Sequence, residues 1–392
     1  MTATTARFAT IPRVGLFTQE HDELRDGVRR FVEGAIRPHA EEWERAGSFP
    51  FREVFPEVGR MGLFGAKYED AYGGTGPDLV ADAVITEELA RCGTAGVAAA
   101  LGAHKDLASF HVYRFGTEEQ RQRWLLPAVA GRSIGALAVT EPGAGSDVGA
   151  IQTAARRDGD GWRLSGTKTF ITNGPIADFV VAAAKTDPEA GHRGISLFVV
   201  GTDVTGFSAR RVDTVGWRTS HTGELAFDEC SIPGEALLGE VNKGFYHLME
   251  NFPWERMVIA LSAVAAAQAT LDMAIAYGRE RRVFDRPVVK FQVWRHRFAD
   301  LATEAEAARA LTYHALRKIV SGRDAEREVS MAKWYATELE WRVADEALQI
   351  HGGYGYMMEF PAQRAWRDAR LGPIGGGTTE VMKEIIGRSF GL

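Results

Sequence analysis

The chain has 392 residues, 45% of them hydrophobic and 25% charged, and its formal net charge is −6 at pH 7. These proportions are typical of a globular protein with two or three packed units, and the negative charge argues against a nucleic-acid partner. The longest apolar stretch, residues 258–267, is shorter than the roughly 20 residues that cross a bilayer, so we expect no membrane span.

Residues 1–16 contain Arg7, Arg13, several threonines and no acidic residue, a weak similarity to an organelle transit peptide. The segment is short and lacks an apolar core. We therefore expect a bacterial N-terminus and a cytoplasmic location, with the mitochondrial matrix as the alternative. Cys92 and Cys230 are too few for a disulfide framework, so we expect buried thiols in a reducing compartment. The histidines lack metal-ligand spacing, and no metal site is expected.

Residues 17–130 are predicted to form a helical domain. Apolar residues recur at helical spacing from Leu24 to Ile36, and Pro38 ends that stripe. Shorter stripes cover residues 51–61 and 79–91. A Thr-Glu-Glu-Gln run at residues 117–120 is a plausible capped helix start.

Residues 131–240 differ in composition. Short runs rich in Val, Ile, Thr and Phe are separated by turn residues at 158–161, 187–188 and 201–203. Regular turns between short apolar runs predict an antiparallel β-sandwich or barrel. Residues 241–392 then return to helix, and their alanine-rich periodic runs predict a four-helix bundle. These runs cover residues 258–277, 293–320 and 328–350. The overall prediction is an α+β protein of three domains.

Two strings in the middle domain suggest a flavin nucleotide. Residues 138–147 read AVTEPGAGSD, and a glycine-rich turn with a serine hydroxyl lets backbone N–H groups converge on an anion. Residues 168–174 read KTFITNG and place hydroxyls beside a flat apolar wall. A Gly/Pro loop between strands explains either string alone, but less readily both in this order.

Both strings resemble the signature segments of acyl-CoA dehydrogenases, and the resemblance extends from Phe17 to nearly the end of the chain. It implies FAD as cofactor, an acyl-CoA substrate and an electron-transfer flavoprotein as acceptor. It also implies that the following residues bind FAD, with Ser146 touching the thioester as well: Ala138, Val139, Thr140, Gly145, Ser146, Phe170, Ile171 and Thr172. For Phe170, simple core packing is the alternative.

Two further strings match segments that in this family complete the FAD site of a neighbouring subunit, which implies a homo-oligomer, most often a tetramer. The first gives Arg281, Phe284 and Gln292; a guanidinium suits phosphate because it binds two oxygens at once. The second gives Gln349, Ile350, His351, Gly352 and Gly353. In this string His351 is expected to be a packing residue rather than an acid or base. The charges of the first string have a solvated helix face as their alternative.

The string PIGGGTTE at residues 373–380 departs from the common family pattern. Many members carry their catalytic glutamate where this chain has Gly376. The isovaleryl and long-chain branches place that base on the helix starting near Gly244, and Glu255 matches its position. The alternative is a surface glutamate paired with Arg or Lys. The resemblance further assigns Tyr246, Arg256 and Gly377 to the substrate, with Arg256 holding the CoA moiety, and Thr378 and Glu380 to FAD.

The implied reaction is α,β-dehydrogenation of an acyl-CoA to the trans-2-enoyl-CoA. Glu255 takes the α-proton, flavin N5 receives the hydride, and the Gly376 N–H stabilises the thioester oxygen. Substrate binding is expected to raise the pKa of Glu255. Alternatives are a flavin oxidase, monooxygenase or nitroalkane oxidase, a carrier-protein thioester dehydrogenase, and a flavin-free scaffold. The small residues at 93–104 suit an acyl-tail pocket and close helix packing equally.

Overall fold

The computed structural model describes residues 15–392, so the prediction for residues 1–16 lies outside the described part except for its last two positions. The N-terminal segment is helical. Its α-helices are α1 (Gln19–Phe31), α2 (Ala40–Ala46), α3 (Phe51–Arg60), α4 (Leu79–Leu89), α5 (Ala95–Gly102), α6 (Ser109–Phe115), α7 (Glu118–Gln120) and α8 (Leu126–Val129).

Local sequence signals set the ends of several of these helices. The stripe that starts in α1 continues through a π-helical turn at Val32–Ile36 and a 3₁₀ turn that contains Pro38. At the start of α7, the Thr117 hydroxyl accepts from the Gln120 N–H at 3.3 Å, and the Gln120 side chain accepts from the Thr117 N–H at 3.0 Å. This reciprocal pair confirms the predicted capped start.

The middle segment is a single eight-stranded sheet. Its strands are β1 (Gly135–Ala138), β2 (Ala154–Asp158), β3 (Gly161–Thr172), β4 (Phe179–Lys185), β5 (Ile195–Gly201), β6 (Phe207–Arg211), β7 (Thr222–Ile232) and β8 (Leu237–Leu238). The order is β6-β7-β3-β2-β4-β5-β8, with β1 beside β4. Most neighbours are antiparallel, as predicted, but β1 runs parallel to β4, and β2 pairs with β4 in parallel at one residue.

Strands β4 and β5 are buried on both faces, because alternate residues of a strand point to opposite sides. Val180, Ala182 and Phe198 join the β-domain core, where the Phe198 ring meets Trp162 edge-on at 5.3 Å. Six odd-numbered residues of these strands join a second core, which they share with the C-terminal helices: Phe179, Val181, Ala183, Ile195, Leu197 and Val199. The sheet therefore gives the bundle a fixed surface against which to pack.

The C-terminal segment is the predicted helical bundle, built from three long helices and two short ones. They are α9 (Gly244–Glu280), α10 (Gln292–Val320), α11 (Glu326–His351), α12 (Pro361–Ala369) and α13 (Thr379–Ser389). A small hairpin of β9 (Arg282–Val283) and β10 (Arg286–Pro287) joins α9 to α10. Helix α9 packs against α10, α11 and the N-terminal α4.

Among the described helices, α9 is long and apolar enough to cross a membrane by composition, with a mean hydropathy of 1.7 in its most apolar window. Half of that window is buried inside the protein, as in the core helix of a bundle. Cys92 and Cys230 are both free and buried, which confirms the prediction for the two thiols.

Candidate active site

The two flavin-like strings lie side by side in the β domain. The Thr169 N–H donates to the Thr140 carbonyl at 2.9 Å. The buried Lys168 ammonium donates to the Val139 carbonyl at 3.0 Å and to Glu141 Oε1 at 2.7 Å. Sequence reasoning missed this Lys168–Glu141 pair, since nothing in the spacing of two charged residues 27 positions apart shows that they meet.

The ion pair joining the strings is internally satisfied. Glu141 also accepts from the backbone N–H groups of Gln152 and Thr153, at 2.6 and 3.0 Å. Burial would raise the pKa of Glu141, but the Lys168 charge and these hydrogen bonds hold it below its usual value. Burial lowers the pKa of Lys168 to about 8. The pair therefore fixes the relative position of the two strings.

The aromatic ring in the second string faces outward. Phe170 is 68% exposed and has a φ of +59°, which a residue with a side chain rarely adopts. Core packing of Phe170 is thus wrong; its neighbour Ile171, 2% exposed, takes that place. An exposed ring held at a strained position is ready to stack on a flat ligand.

The turn of the first string leaves room for an anion. A Cβ placed on Gly143 or Gly145 would meet no protein atom within 4 Å, and Ser146 is exposed. Val139 and Thr140 are half-buried, but Ala138 is fully buried, so its side chain packs into the β core instead of lining a ligand. The open turn and the exposed ring together fit a flavin nucleotide.

The third and fourth strings meet in one groove at the far end of the bundle. The groove, about 600 Å³, is lined by Arg281 and by a stretch that includes Gln349, Ile350, His351, Gly352 and Gly353. The Arg281 guanidinium lies 5.7 Å from the centre of the Tyr354 ring. A Cβ on Gly352 or Gly353 would meet no protein atom. An exposed cation over open backbone fits a phosphate-bearing ligand.

Exposed apolar side chains lie close to this groove along the chain. Phe284 is at the tip of the β9–β10 hairpin, 87% exposed with a φ of +48°. Tyr356 and Met358 are 85% and 58% exposed, and Gln292 is also exposed. Side chains of this size on the surface are typical of an interaction site.

His351 has the contacts of a packing residue. Its ring stacks on Tyr277 with 3.8 Å between centres, and its Nδ1 lies 2.6 Å from the Ala347 carbonyl. Burial lowers its pKa, so the ring is neutral near pH 7. In this form, Nδ1 donates its proton to that carbonyl.

Glu255 lies on α9 and is only 6% exposed. Its Oε1 has no hydrogen-bond partner, and the nearest basic atom is Nδ1 of His111 at 3.9 Å. The surface-glutamate interpretation is therefore wrong. Burial raises the pKa of Glu255 to about 8; Arg256 opposes this shift and Asp106 adds to it. This increase is present in the chain without substrate, which the sequence did not indicate.

The Gly376–Gly377 turn packs against the same helix. Gly376 and Gly377 have φ values of +64° and +95°, which favour glycine. A Cβ on Gly376 would overlap Cδ1 of Ile259, and Ile259 lies one helical turn beyond Glu255 on the same face. At this position a glutamate would have a strained backbone, and the Ile259 side chain would have to move to make room for it.

Arg256 faces the second glycine of that turn. It is 7% exposed, and its Nε lies 3.9 Å from where a Cβ on Gly377 would be. Its guanidinium lies 5.3 Å from the centre of the Phe252 ring. Arg256 is thus enclosed behind the turn, and its role in holding the CoA moiety stays a prediction. Tyr246, by contrast, is 45% exposed.

The turn is anchored by α11 and by the start of α13. Lys333 donates to the Gly377 carbonyl at 2.6 Å, and the Thr379 hydroxyl donates to Glu338 at 2.8 Å. The Thr378 hydroxyl accepts from the first turn of α13 and so caps that helix. Thr378 and Glu380 line a cavity of about 190 Å³ that also includes Arg370.

The small residues at 93–104 have a packing role at one position. A Cβ on Gly96 would overlap Oγ1 of Thr219, so the glycine allows α5 to approach the β domain closely. At Gly102 a Cβ would meet only Oδ2 of Asp106, at 3.9 Å. Close packing explains Gly96, and an acyl-tail pocket remains a prediction for the rest of the segment.

Comparisons with known proteins cover nearly all of the described chain. Family models match as acyl-CoA dehydrogenase N-terminal, middle and C-terminal domains, over residues 18–132, 136–230 and 242–391. The chain is 41% identical over 383 residues to the mitochondrial long-chain specific acyl-CoA dehydrogenase of Mus musculus, covering 96% of this chain and 87% of the relative.

Solved structures agree. The acyl-CoA dehydrogenase from Geobacillus kaustophilus is 42% identical with a TM-score of 0.93, covering 96% of this chain and 99% of that one. A glutaryl-CoA dehydrogenase from Mycobacterium smegmatis, in complex with FADH2, is 31% identical with a TM-score of 0.90, covering 96% and 95%.

Proposed function

This chain belongs to the acyl-CoA dehydrogenase family, and we propose that Glu255 is the base that removes the α-proton of its acyl-CoA substrate. The family is FAD-dependent and oxidises CH–CH bonds, so the resemblance, the three-part fold, the reaction and the cofactor predicted from the sequence are confirmed. The identity of the base is the proposal.

One observation carries this proposal: Glu255 is a buried carboxyl whose Oε1 has no partner. Other buried carboxylates also have one oxygen without a hydrogen-bond partner, but Asp106 accepts from Lys105 and Glu87 accepts from Tyr313 at the other oxygen. Glu255, by contrast, has no lysine or arginine within ion-pair distance among the described residues, and a buried carboxyl without such a partner calls for an explanation. A base must be free to accept a proton, and its pKa should lie near the working pH. Burial gives Glu255 a pKa of about 8, so it meets both requirements.

The Gly376–Gly377 turn is suited to stabilise the charge that forms when the α-proton leaves. Removing the α-proton places negative charge on the thioester oxygen, and a fixed N–H donor stabilises that charge. The Gly376 N–H belongs to a turn packed on Ile259, one helical turn from Glu255. FAD, when bound, supplies the acceptor for the hydride that leaves the β-carbon.

The test is the anaerobic reduction of bound flavin by saturating acyl-CoA in a stopped-flow cell. Glu255→Gln keeps the size and polarity of the side chain but removes the proton acceptor, so reduction should slow at least 100-fold, an order of magnitude typical of a positioned base. Glu250→Gln is the matched control: its carboxylate lies on the same helix, is exposed and pairs with Arg114. Reduction of Glu255→Gln at the parent rate would exclude Glu255 as the base.

We further propose that the chain forms a homo-oligomer, with a tetramer as the expected form, in which Arg281 and Gln349–Gly353 complete the FAD site of a neighbouring subunit. The open groove beside these residues and the exposed Phe284 and Tyr356 support this proposal. Arg281→Ala should weaken both FAD retention and assembly, and added FAD should raise the melting temperature of the parent. A fully FAD-loaded monomer in sedimentation would contradict it.

Two further proposals concern the electron acceptor and the location of the protein. The electron acceptor is proposed to be an electron-transfer flavoprotein, on the ground of the family resemblance alone. A cytoplasmic location is proposed because both cysteines are free and buried. Reduction of a purified electron-transfer flavoprotein by the substrate-reduced enzyme, and fractionation of the source cells, test them.

A further inference from the structure

Lys333 on α11 is a fully buried lysine with an unusual partner. It is 0% exposed, and its ammonium donates to the Gly377 carbonyl at 2.6 Å. Within residues 15–392 no carboxylate lies within ion-pair distance of it. Burial, together with the charge of Arg256, lowers its pKa to about 8. Glu338 and Glu380 are the acidic groups that act on it from a greater distance.

The other buried lysines of the described chain are neutralised. Lys67 and Lys105 pair with Asp82 and Asp106. Lys168 pairs with Glu141 at 2.7 Å. Burying an ammonium is costly unless it is paired, and a carbonyl only partly offsets that cost. The Lys333 ammonium nevertheless donates to a single backbone oxygen. This costly arrangement indicates that the position of that oxygen matters.

That oxygen belongs to the turn which follows the proposed oxyanion donor. Gly376 and Gly377 are two consecutive glycines with positive φ, and glycine is the most flexible of the residues. Ile259 limits the turn on the side of α9. Thr379 ties the end of the turn to Glu338 on α11 and to the Pro373 carbonyl, but the Lys333 bond is the one that reaches the Gly376–Gly377 pair itself. Without it the Gly376 N–H is held less firmly, whereas an oxyanion donor must be held in place before the reaction.

We propose that Lys333 is a positioning residue, whose hydrogen bond to the Gly377 carbonyl holds the Gly376 N–H in the direction that stabilises the deprotonated thioester. This proposal rests on the proposed role of Gly376 as donor. Lys333 acts through the turn and does not touch the substrate. Its contribution is therefore to the deprotonation step and not to substrate binding.

The first readout isolates that step. A 3-thia-acyl-CoA can lose its α-proton but has no hydride at the β-position to transfer, and its bound enolate gives a long-wavelength band beside oxidised flavin. Titration of this band against pH gives the apparent pKa of the α-proton. Lys333→Met should raise this value by about one pH unit, equivalent to a tenfold weaker stabilisation of the enolate. Lys333→Arg, which keeps a charged donor, should restore most of it.

The second readout separates rate from binding. At saturating acyl-CoA, Lys333→Met should reduce the flavin at least tenfold more slowly, with KM within about threefold of the parent. Lys383→Met is the matched control, because Lys383 lies on α13, is exposed and packs on Trp334 at 4.7 Å. If Lys333→Met yields no folded protein, Lys333→Gln replaces it: its shorter, uncharged side chain weakens the hydrogen bond to the Gly377 carbonyl, so both effects should have the same direction and be smaller.

The outcomes separate this inference from the proposed function. An unchanged enolate pKa in folded, FAD-loaded Lys333→Met, or equal losses in Lys333→Met and Lys333→Arg, overturns the role of Lys333. The titration of Glu255→Gln runs in parallel. If the enolate band appears after mixing as fast in Glu255→Gln as in the parent, the proposed base is wrong, whatever Lys333 does.

Discussion

Two buried regions that contain carboxyl groups lie side by side in this protein. In one, every carboxyl group is paired with a lysine; in the other, the carboxyl group has no such partner. In the helical N-terminal domain, Lys67, Asp82, Lys105 and Asp106 form a cluster in which each side chain is at most 2% exposed and each charge has an opposite partner. Glu255 on α9 is almost as buried, yet its Oε1 has no partner.

The two regions share a border. The indole N–H of Trp254, the residue before Glu255, donates to Asp106 at 3.2 Å. Burial opposes ionisation of Asp106, but Lys105 and Lys67 hold its pKa below the usual value, so it remains a carboxylate. Glu255 lacks such partners and has a pKa of about 8. Paired charges hold the structure, and the unpaired carboxyl is left free to exchange a proton.

The largest expected effect comes from breaking the paired region. Lys105→Met should lower the free energy of unfolding by about 3–5 kcal/mol, because it leaves Asp82 and Asp106 short of a cation in a buried site. Urea denaturation measures this loss. Adding Asp82→Asn should recover part of it, since the remaining charges then balance. A loss below about 1 kcal/mol would show that the cluster is not the paired network described.

Glu255 should show the opposite behaviour, because removing its charge should stabilise the folded protein. Because folding raises the pKa of Glu255 from an ordinary 4.5 to about 8, the folded parent binds more protons than the unfolded chain between these values. Its stability contribution is complete below pH 4.5 and is lost as the pH rises through about 8. The difference in free energy of unfolding between Glu255→Gln and the parent should therefore shift in favour of Glu255→Gln by on the order of 2–4 kcal/mol when the pH is raised from 5 to 9. Equal differences at both pH values would contradict the raised pKa.

A smaller effect should follow from a backbone change beside Glu255. Gly376→Ala should cost about 1–2 kcal/mol, because its φ of +64° is unfavourable for a residue with a Cβ. Gly387 within α13 is the control, since a Cβ there meets no atom within 4 Å and alanine favours a helix. Thermal melts measure the stability of both variants, and Gly387→Ala should be neutral or stabilising. If both changes cost the same, the turn conformation carries no special strain.

Local patterns in the sequence predicted much of the fold. The alanine-rich periodicity identified α9, α10 and α11, and the Thr117–Gln120 capping box sets a helix start in the structure as in the sequence. These features depend on residues within a few positions of one another, where spacing alone carries the information.

The hydrogen-bond and ion-pair partners of the buried polar groups could not be predicted in this way. The partners of Lys168 and of Asp82 lie 27 and 23 positions away, and that of Lys333 lies 44 away. The outward direction of Phe170 depends on a single positive φ in a strand that is otherwise half buried. Whether a glutamate is paired or alone is decided by such long-range contacts, so the sequence left two interpretations of Glu255 open.

The proposed reaction depends most on Glu255 being the proton acceptor in its unpaired state. The direct test is the second-order rate constant of flavin reduction, measured anaerobically at limiting acyl-CoA between pH 6 and pH 10, because it reports ionisation in the free enzyme. The predicted result is a rate that rises about tenfold per pH unit and levels off above about pH 8, with no such rise in the residual rate of Glu255→Gln. A profile that is flat from pH 6, or the same rise in Glu255→Gln, would contradict the account.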